Sequence, residues 1–570
     1  MSVVAPPRHA LSEGEGPAPR SARSARRVLA SVAALFCVYG VLSLFNDPRG
    51  SLGTDTGGKV ATLRAMDARG SLDPDLGYWA ERYDPDGSLH PLFSTEPVGD
   101  RWVNVTTLPM LYAAYPLYEV GGLRAVLLLP MLGAVLTALA ARALARRLGD
   151  GDGWWAFWAV GLASPIVIYA LDIWEHSLGT GLMLCAAVVL LDVYEDRAGW
   201  RASAGAGALF GLAATMRTEA LVYGAVITAL AALTHARGRG RRDIRNMMAR
   251  SVPVVVGLGA VLIGNQVLER ISLGDGLRAA RAGGTAAQAA GDLGVRAREA
   301  VTTTIGLSRF DRPLDWILGG AIVVAIVIVA RALVQRDDAS RRIAVAALAV
   351  AAVLYAARFA DGLGFIPGVL SASPLAVAGI ALAWKDVRGR NVAIAALAPL
   401  PLVWLFQFSG GAGPQWGGRY VLTTGLLLAV AGMVTARRAS RAAAAVVVTL
   451  GLAVSGCGVA WLSVRSHAVA DAMEQLAARD DEAVLSLEAH LLREGGAFYD
   501  GAARWLTATN EGEVQEAVRV LRDAGVGQVA LISPRGEARP QELGPFQRGR
   551  QDGFELLPGV RFTITSYERG

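Results

Sequence analysis

The chain has 570 residues, 53% of them hydrophobic, with a mean hydropathy of +0.38. That is too apolar for an ordinary soluble enzyme, and apolar runs of about 17–22 residues match the hydrocarbon thickness of a bilayer. The net charge of +6 rests almost wholly on arginine, because lysine occurs only at Lys59 and Lys385; the arginines flank apolar runs, so a polytopic helical membrane protein is expected and no nucleic-acid partner.

The Ala, Gly and Arg richness points to a bacterial source of high GC content. Cys37, Cys185 and Cys457 all fall within apolar runs, which argues against a disulfide framework or a cysteine metal site.

Residues 1–27 are polar, Pro- and Arg-rich, and read as a disordered tail. They end in Arg20, Arg23, Arg26 and Arg27, which predicts a cytoplasmic N-terminus. The first span is expected at 28–46. A long external loop, 47–122, follows. Within it, residues 105–119 are apolar, aromatic and Pro-broken, the pattern of an interfacial or re-entrant helix. Twelve further spans are expected at 123–145, 154–171, 178–194, 203–216, 220–235, 252–269, 315–334, 343–357, 369–384, 391–408, 421–436 and 442–463. Each short loop on the cytoplasmic side carries arginine or lysine, most densely between Arg237 and Arg250.

This gives about thirteen transmembrane helices in a plasma-membrane protein with an external C-terminus. Residues 464–570 mix polar and apolar side chains in soluble proportions. Strands are expected at 483–488, 501–508 and 527–534, with a helix over 511–525 closed by Gly525. The fold class is thus an all-α polytopic membrane bundle with a small external α/β domain of βαβ type. That domain lacks a Gly-rich phosphate fingerprint and reads as a structural or acceptor-facing module.

On this topology the external ends of the spans share a set of polar residues: Asp55 and Lys59 in GTDTGGK, Asp172, Glu175 and His176 in DIWEHS, Arg217 and Glu219 in MRTE, Arg358 with Asp361, and Arg419 with Tyr420 in QWGGRY. Ionisable groups at that depth are costly near lipid, so they pair with one another or line a wet cavity. A carboxylate such as Asp55 suits proton abstraction from a hydroxyl, and Gly53, Gly57 and Gly58 would let backbone and substrate approach closely. Equally, Asp55 suits a turn that caps the following helix, and Asp47 is a rival acid. DIWEHS reads either as a ligand set for a metal or phosphate, or as a solvated turn anchored by Trp174. Arg217 and Arg358 suit either a phosphate or a structural ion pair, and Lys59 either a phosphate contact or a solvated face.

Taken in order, these elements resemble the GT-C superfamily of membrane glycosyltransferases, over roughly residues 28–463. The matching elements are the acid after the first span (Asp55 in GTDTGGK), the acidic turn between the third and fourth spans (Asp172 and Glu175 in ASPIVIYALDIWEHS), the Arg/Glu turn after a glycine-rich helix (Arg217 and Glu219 in GLAATMRTEAL), and a late W-G-x-R-Y element (Trp416, Arg419 and Tyr420). The resemblance implies a bundle with an interfacial helix in its first loop. It implies transfer of a sugar from a polyprenyl-phosphate donor to an acceptor glycan, lipid or protein at the outer face of the bilayer. Asp55 would be the base, and Arg217, Arg419, Lys59 and His176 the contacts to donor phosphate. Glu175, Asp172, Glu219, Arg358 and Tyr420 would be accessory. The cofactor is left open, with or without a divalent metal. Two alternatives share the donor chemistry: a flippase of lipid-linked intermediates, and a surface-polysaccharide polymerase or ligase resting on the loop 270–313.

Overall fold

The computed structural model describes residues 19–51, 53–236, 242–274, 293–308, 312–335, 337–407, 415–536 and 541–570. The basic loop at 237–241, residues 275–292 and 309–311 of the expected loop 270–313, and residues 408–414 therefore lie outside the described residues. The N-terminal tail is described only from Pro19, where it is already helical as part of Pro19–Ser43. Residues 19–27, expected to be disordered, are thus an extension of the first apolar helix.

Among the described residues, nine helices are long and apolar enough to cross a membrane, and they match nine of the thirteen expected spans. Glu219–Thr234 and Pro374–Lys385 are shorter apolar helices. The expected span 203–216 is the helix Trp200–Met216. Proline explains where other spans break, because it lacks the N–H that would continue the ladder. The expected span 154–171 is split beside Pro165 into Trp154–Leu162 and Ile166–Tyr169. Pro374 restarts the chain after Val369–Ala372, and Pro399 lies between Val387–Leu397 and Leu400–Gln407. The segment expected to be interfacial or re-entrant, 105–119, forms the first part of the helix Leu108–Val126, which turns sharply at Gly121 and Gly122 before Leu128–Arg147.

The last apolar helix, Arg441–Ala477, has 37 residues. At 1.5 Å per residue it is about 55 Å long, well beyond a hydrocarbon core of about 30 Å. It runs unbroken through the boundary expected at 463/464. Its final turns bring Val469, Met473 and Leu476 into the core of the C-terminal domain.

That domain carries a six-stranded sheet in the order β4-β3-β5-β8-β7-β6. Strand β3 (Ala483–Ser486) pairs in parallel with β4 (Trp505–Thr507) and β5 (Gln528–Pro534). The helix Glu511–Asp523 connects β4 to β5, as the period-3.6 pattern requires. The sheet then continues antiparallel through β8 (Val560–Arg569), β7 (Phe546–Leu557) and β6 (Glu542–Leu543), strands absent from the sequence reading.

The first external loop belongs to the same core. Its hairpin, β1 (Thr95–Val98) and β2 (Arg101–Asn104), and its aromatics Tyr78 and Trp102 pack with Tyr499 and Trp505. This layer is therefore built from two distant stretches of chain, seated on the bundle.

Candidate functional site

The helix Thr54–Arg69 opens at Gly53, whose backbone is extended. Asp55 lies in its first turn, where the unsatisfied N–H groups and the helix dipole favour negative charge. The local glycines give the close backbone approach expected of them, with protein as the neighbour. A Cβ at Gly57 would run into the backbone carbonyl of Arg493, and a Cβ at Gly496 into the carbonyl of Gly57. Gly58 lies against the Asn104 side chain, and Gly53 faces Gln415 and Trp174. The glycines of GTDTGGK thus admit protein, and Gly57 lets the short turn Leu491–Glu494 of the C-terminal domain pack backbone to backbone on this helix.

That contact delivers a residue the sequence reading did not single out. Arg493 Nη1 donates to Asp55 Oδ1 at 3.0 Å, and its Nη2 donates to Asn104 Oδ1 at 3.1 Å. From the bundle, Arg419 Nη1 donates to Asp55 Oδ2 at 3.1 Å. Asp55 is therefore held between one guanidinium from each layer. Burial pushes its carboxyl up, but Arg493, Arg419, Lys59 and Arg217 outweigh that and hold it below the usual carboxylate range.

The network continues inward. Lys59 Nζ, 2% exposed, lies 2.9 Å from Glu175 Oε2 and donates to the Asp55 carbonyl. Arg217 Nη1 donates to Glu175 Oε1 at 3.3 Å, and Arg217 Nε to Glu219 Oε1 at 2.9 Å. Burial pushes the Glu175 carboxyl up, yet Lys59 and Arg217 bring it below its ordinary value. The Thr56 hydroxyl donates to Asp172 Oδ2 at 2.7 Å. Four acids and four bases thus meet in one cluster. Most of its side chains are closed off, including Arg419 (9% exposed) and Arg493 (6%), whereas the Asp55 side chain is 34% exposed. The carboxylate at the centre is the part that a solute can reach.

Aromatic rings frame the guanidinium groups. Arg217 and Arg419 each lie 4.8 Å from the Tyr420 ring centroid, and Arg419 lies 5.7 Å from Trp174. These are cation–π distances. His176 sits edge-on to Trp174 and stacks on Tyr169, with neither ring nitrogen hydrogen-bonded among the described residues. Trp174 and Trp416 are fully buried, so Trp174 is not the anchor of a solvated turn. DIWEHS is likewise no solvated turn, since Asp172, Glu175 and His176 are all buried. Among the described residues no three His, Cys, Asp or Glu side chains converge as a metal site would need.

The structure thus brings together Asp55, Lys59, Asp172, Glu175, His176, Arg217, Glu219, Arg419 and Tyr420. It leaves out Arg358, which pairs with Asp315 and Asp361, each at 2.7 Å. Asp47, the rival acid, is taken by Arg49 at 2.8 Å. The only advance sign of Arg493 was a charged pair before two glycines, REGG at 493–496, in a domain that read as structural.

Fold and site define a helical membrane bundle with a buried cluster of charges at its contact with an α/β domain. No family model and no curated protein matches the chain. Among solved structures it is similar to ArnT from Cupriavidus metallidurans in the apo state, at 13% identity and a TM-score of 0.45 over 95% of this chain and 98% of that one. It is similar to the same protein bound to undecaprenyl phosphate, at 14% identity and 0.45, over 94% and 98%. It is also similar to the Archaeoglobus fulgidus oligosaccharyltransferase in complex with Zn and sulfate, at 12% identity and 0.46, over 87% and 67%. Likeness at this level transfers no activity and no residue role.

Proposed function

We propose that the chain is a membrane glycosyltransferase that moves a sugar from a polyprenyl-phosphate donor to an acceptor hydroxyl on the outer face of the bilayer. The observation that carries this reading is the half-open Asp55 carboxylate flanked by Arg419 and Arg493, at the junction of apolar bundle and external domain. A lipid-linked donor presents its phosphate at that level, and guanidinium groups suit it through charge-assisted hydrogen bonds.

In the reaction, Asp55 takes the proton of the acceptor hydroxyl as its oxygen attacks the anomeric carbon. The bond from that carbon to the phosphate oxygen breaks, and the leaving polyprenyl phosphate keeps the electron pair. Arg419, with Arg217 and Lys59 behind it, stabilises the charge that develops on the leaving oxygen. Attack opposite the leaving group inverts the anomeric centre.

Purified protein in nanodiscs, supplied with a panel of polyprenyl-phosphate sugars, tests the reading. Release of polyprenyl phosphate coupled to acceptor glycosylation is the expected result. Movement of the lipid between leaflets without any transfer would instead assign the chain as a flippase.

A further inference from the structure

Asp55 is occupied on both oxygens by guanidinium groups, Arg493 on Oδ1 and Arg419 on Oδ2. A carboxylate so held is a weak base, because its proton affinity is spent on its cations. The same two arginines are the nearest guanidinium groups to the one reachable carboxylate of the cluster. Arg493 also keeps a buried Nε without a hydrogen-bond partner among the described residues, so it has donor capacity beyond Asp55 and Asn104.

We infer that Arg493 is a positioning residue which, with Arg419, holds Asp55 until the donor phosphate competes for their guanidinium groups, so that the base is released only in the donor-loaded site. The inference rests on the reading of Asp55 as base and deepens it. The contest is between two anions for one pair of cations. Asp55 contributes a single charge, and a phosphate diester or monoester brings more acceptor oxygens in a geometry that arginine matches well. An empty site keeps its base paired and its charge balanced. A loaded site moves the arginines toward the phosphate and frees the carboxylate toward the acceptor. Donor binding before acceptor follows as an order.

The location of Arg493 adds a second consequence. It reaches Asp55 only because the turn Leu491–Glu494 is fastened to the helix Thr54–Arg69. Besides the Gly57–Gly496 contact, Glu494 Oε2 accepts from the Ser51 hydroxyl at 2.7 Å, and Arg465 Nη2 donates to Glu494 Oε1 at 2.5 Å. Seating of the external domain therefore sets how firmly the base is held.

The test is the binding of a sugar-free polyprenyl phosphate to the full-length protein in nanodiscs, measured beside transfer. If Asp55 and phosphate compete, Asp55→Asn binds that lipid about tenfold more tightly than wild type, the scale of one charge-assisted hydrogen bond. Arg493→Met weakens its binding by a similar factor and moves the acid limb of the transfer rate upward in pH, whereas Arg493→Lys keeps both near wild type. A merely structural role for Arg493 would leave the acid limb in place. Loss of transfer in Asp55→Asn with no gain in lipid affinity overturns the inference and leaves the base assignment standing. Full transfer by Asp55→Asn overturns the base assignment itself. Unchanged lipid affinity and acid limb in Arg493→Met also overturn the inference.

Discussion

Glu175 is a single buried carboxylate shared by two cations, Lys59 and Arg217. Removing it leaves Lys59 without its carboxylate in a closed cluster and Arg217 with Glu219 alone, and an uncompensated buried charge costs about 3–5 kcal/mol. Glu175→Leu is therefore expected to lower the thermal unfolding midpoint sharply, while Arg358→Leu, outside the cluster, leaves transfer intact. A Glu175→Leu protein as stable as wild type, by tryptophan fluorescence in detergent, would show that the network is not what closes the site. The single residues were unequally legible. Asp55, Arg217 and Arg419 stand out in the sequence because each is a charge at the edge of an apolar run. Arg493 does not, because it sits among other charges in a soluble domain and its contact to Asp55 spans 438 positions. No local pattern encodes such a pairing.

At the scale of elements, the decisive joint is between the helix Thr54–Arg69 and the turn Leu491–Glu494. Gly57→Ala inserts a methyl group into the Arg493 carbonyl and Gly496→Ala inserts one into the Gly57 carbonyl. Backbone cannot yield there as a side-chain tip can, so overpacking of about 1–3 kcal/mol is expected. The turn should lift. Hydrogen exchange over 488–497 should quicken and transfer should fall, with the bundle's exchange unchanged. Unaltered exchange in that turn would remove the joint from the account. The helices themselves were largely legible, since their apolar runs and flanking arginines are local signals. Their breaks at Pro165, Pro374 and Pro399 were readable in principle but were absorbed into continuous apolar spans. The antiparallel strands β6–β8 alternate weakly and were missed.

At the scale of the whole molecule, the layer on the bundle is one core made from residues 61–102 and 469–567, a union that no boundary drawn along the chain reveals. His90 lies in it, stacked on Trp102 at 5.7 Å with Nδ1 accepting from the Leu92 amide. Burial drives its pKa down to about 3. The folded state therefore refuses a proton that the unfolded chain binds below about pH 6.5. The sign follows: no penalty above that value, and stability lost as pH falls from about 6.5 toward 3, by about 1.4 kcal/mol per pH unit. Thermal midpoints at pH 7.5 and pH 5 should differ less for His90→Asn than for wild type. An equal difference would mean that another group sets the acid sensitivity.

The central claim is that Asp55 is the base of a glycosyl transfer. In the empty site its carboxyl is held below the usual carboxylate range by the arginines around it. The most direct measurement is the single-turnover transfer rate of Asp55→Asn from a polyprenyl-phosphate sugar, at saturating donor, in protein shown to be folded. The account predicts a fall of about 10²–10⁴-fold, the usual worth of a positioned general base. A wild-type rate in that variant would contradict it.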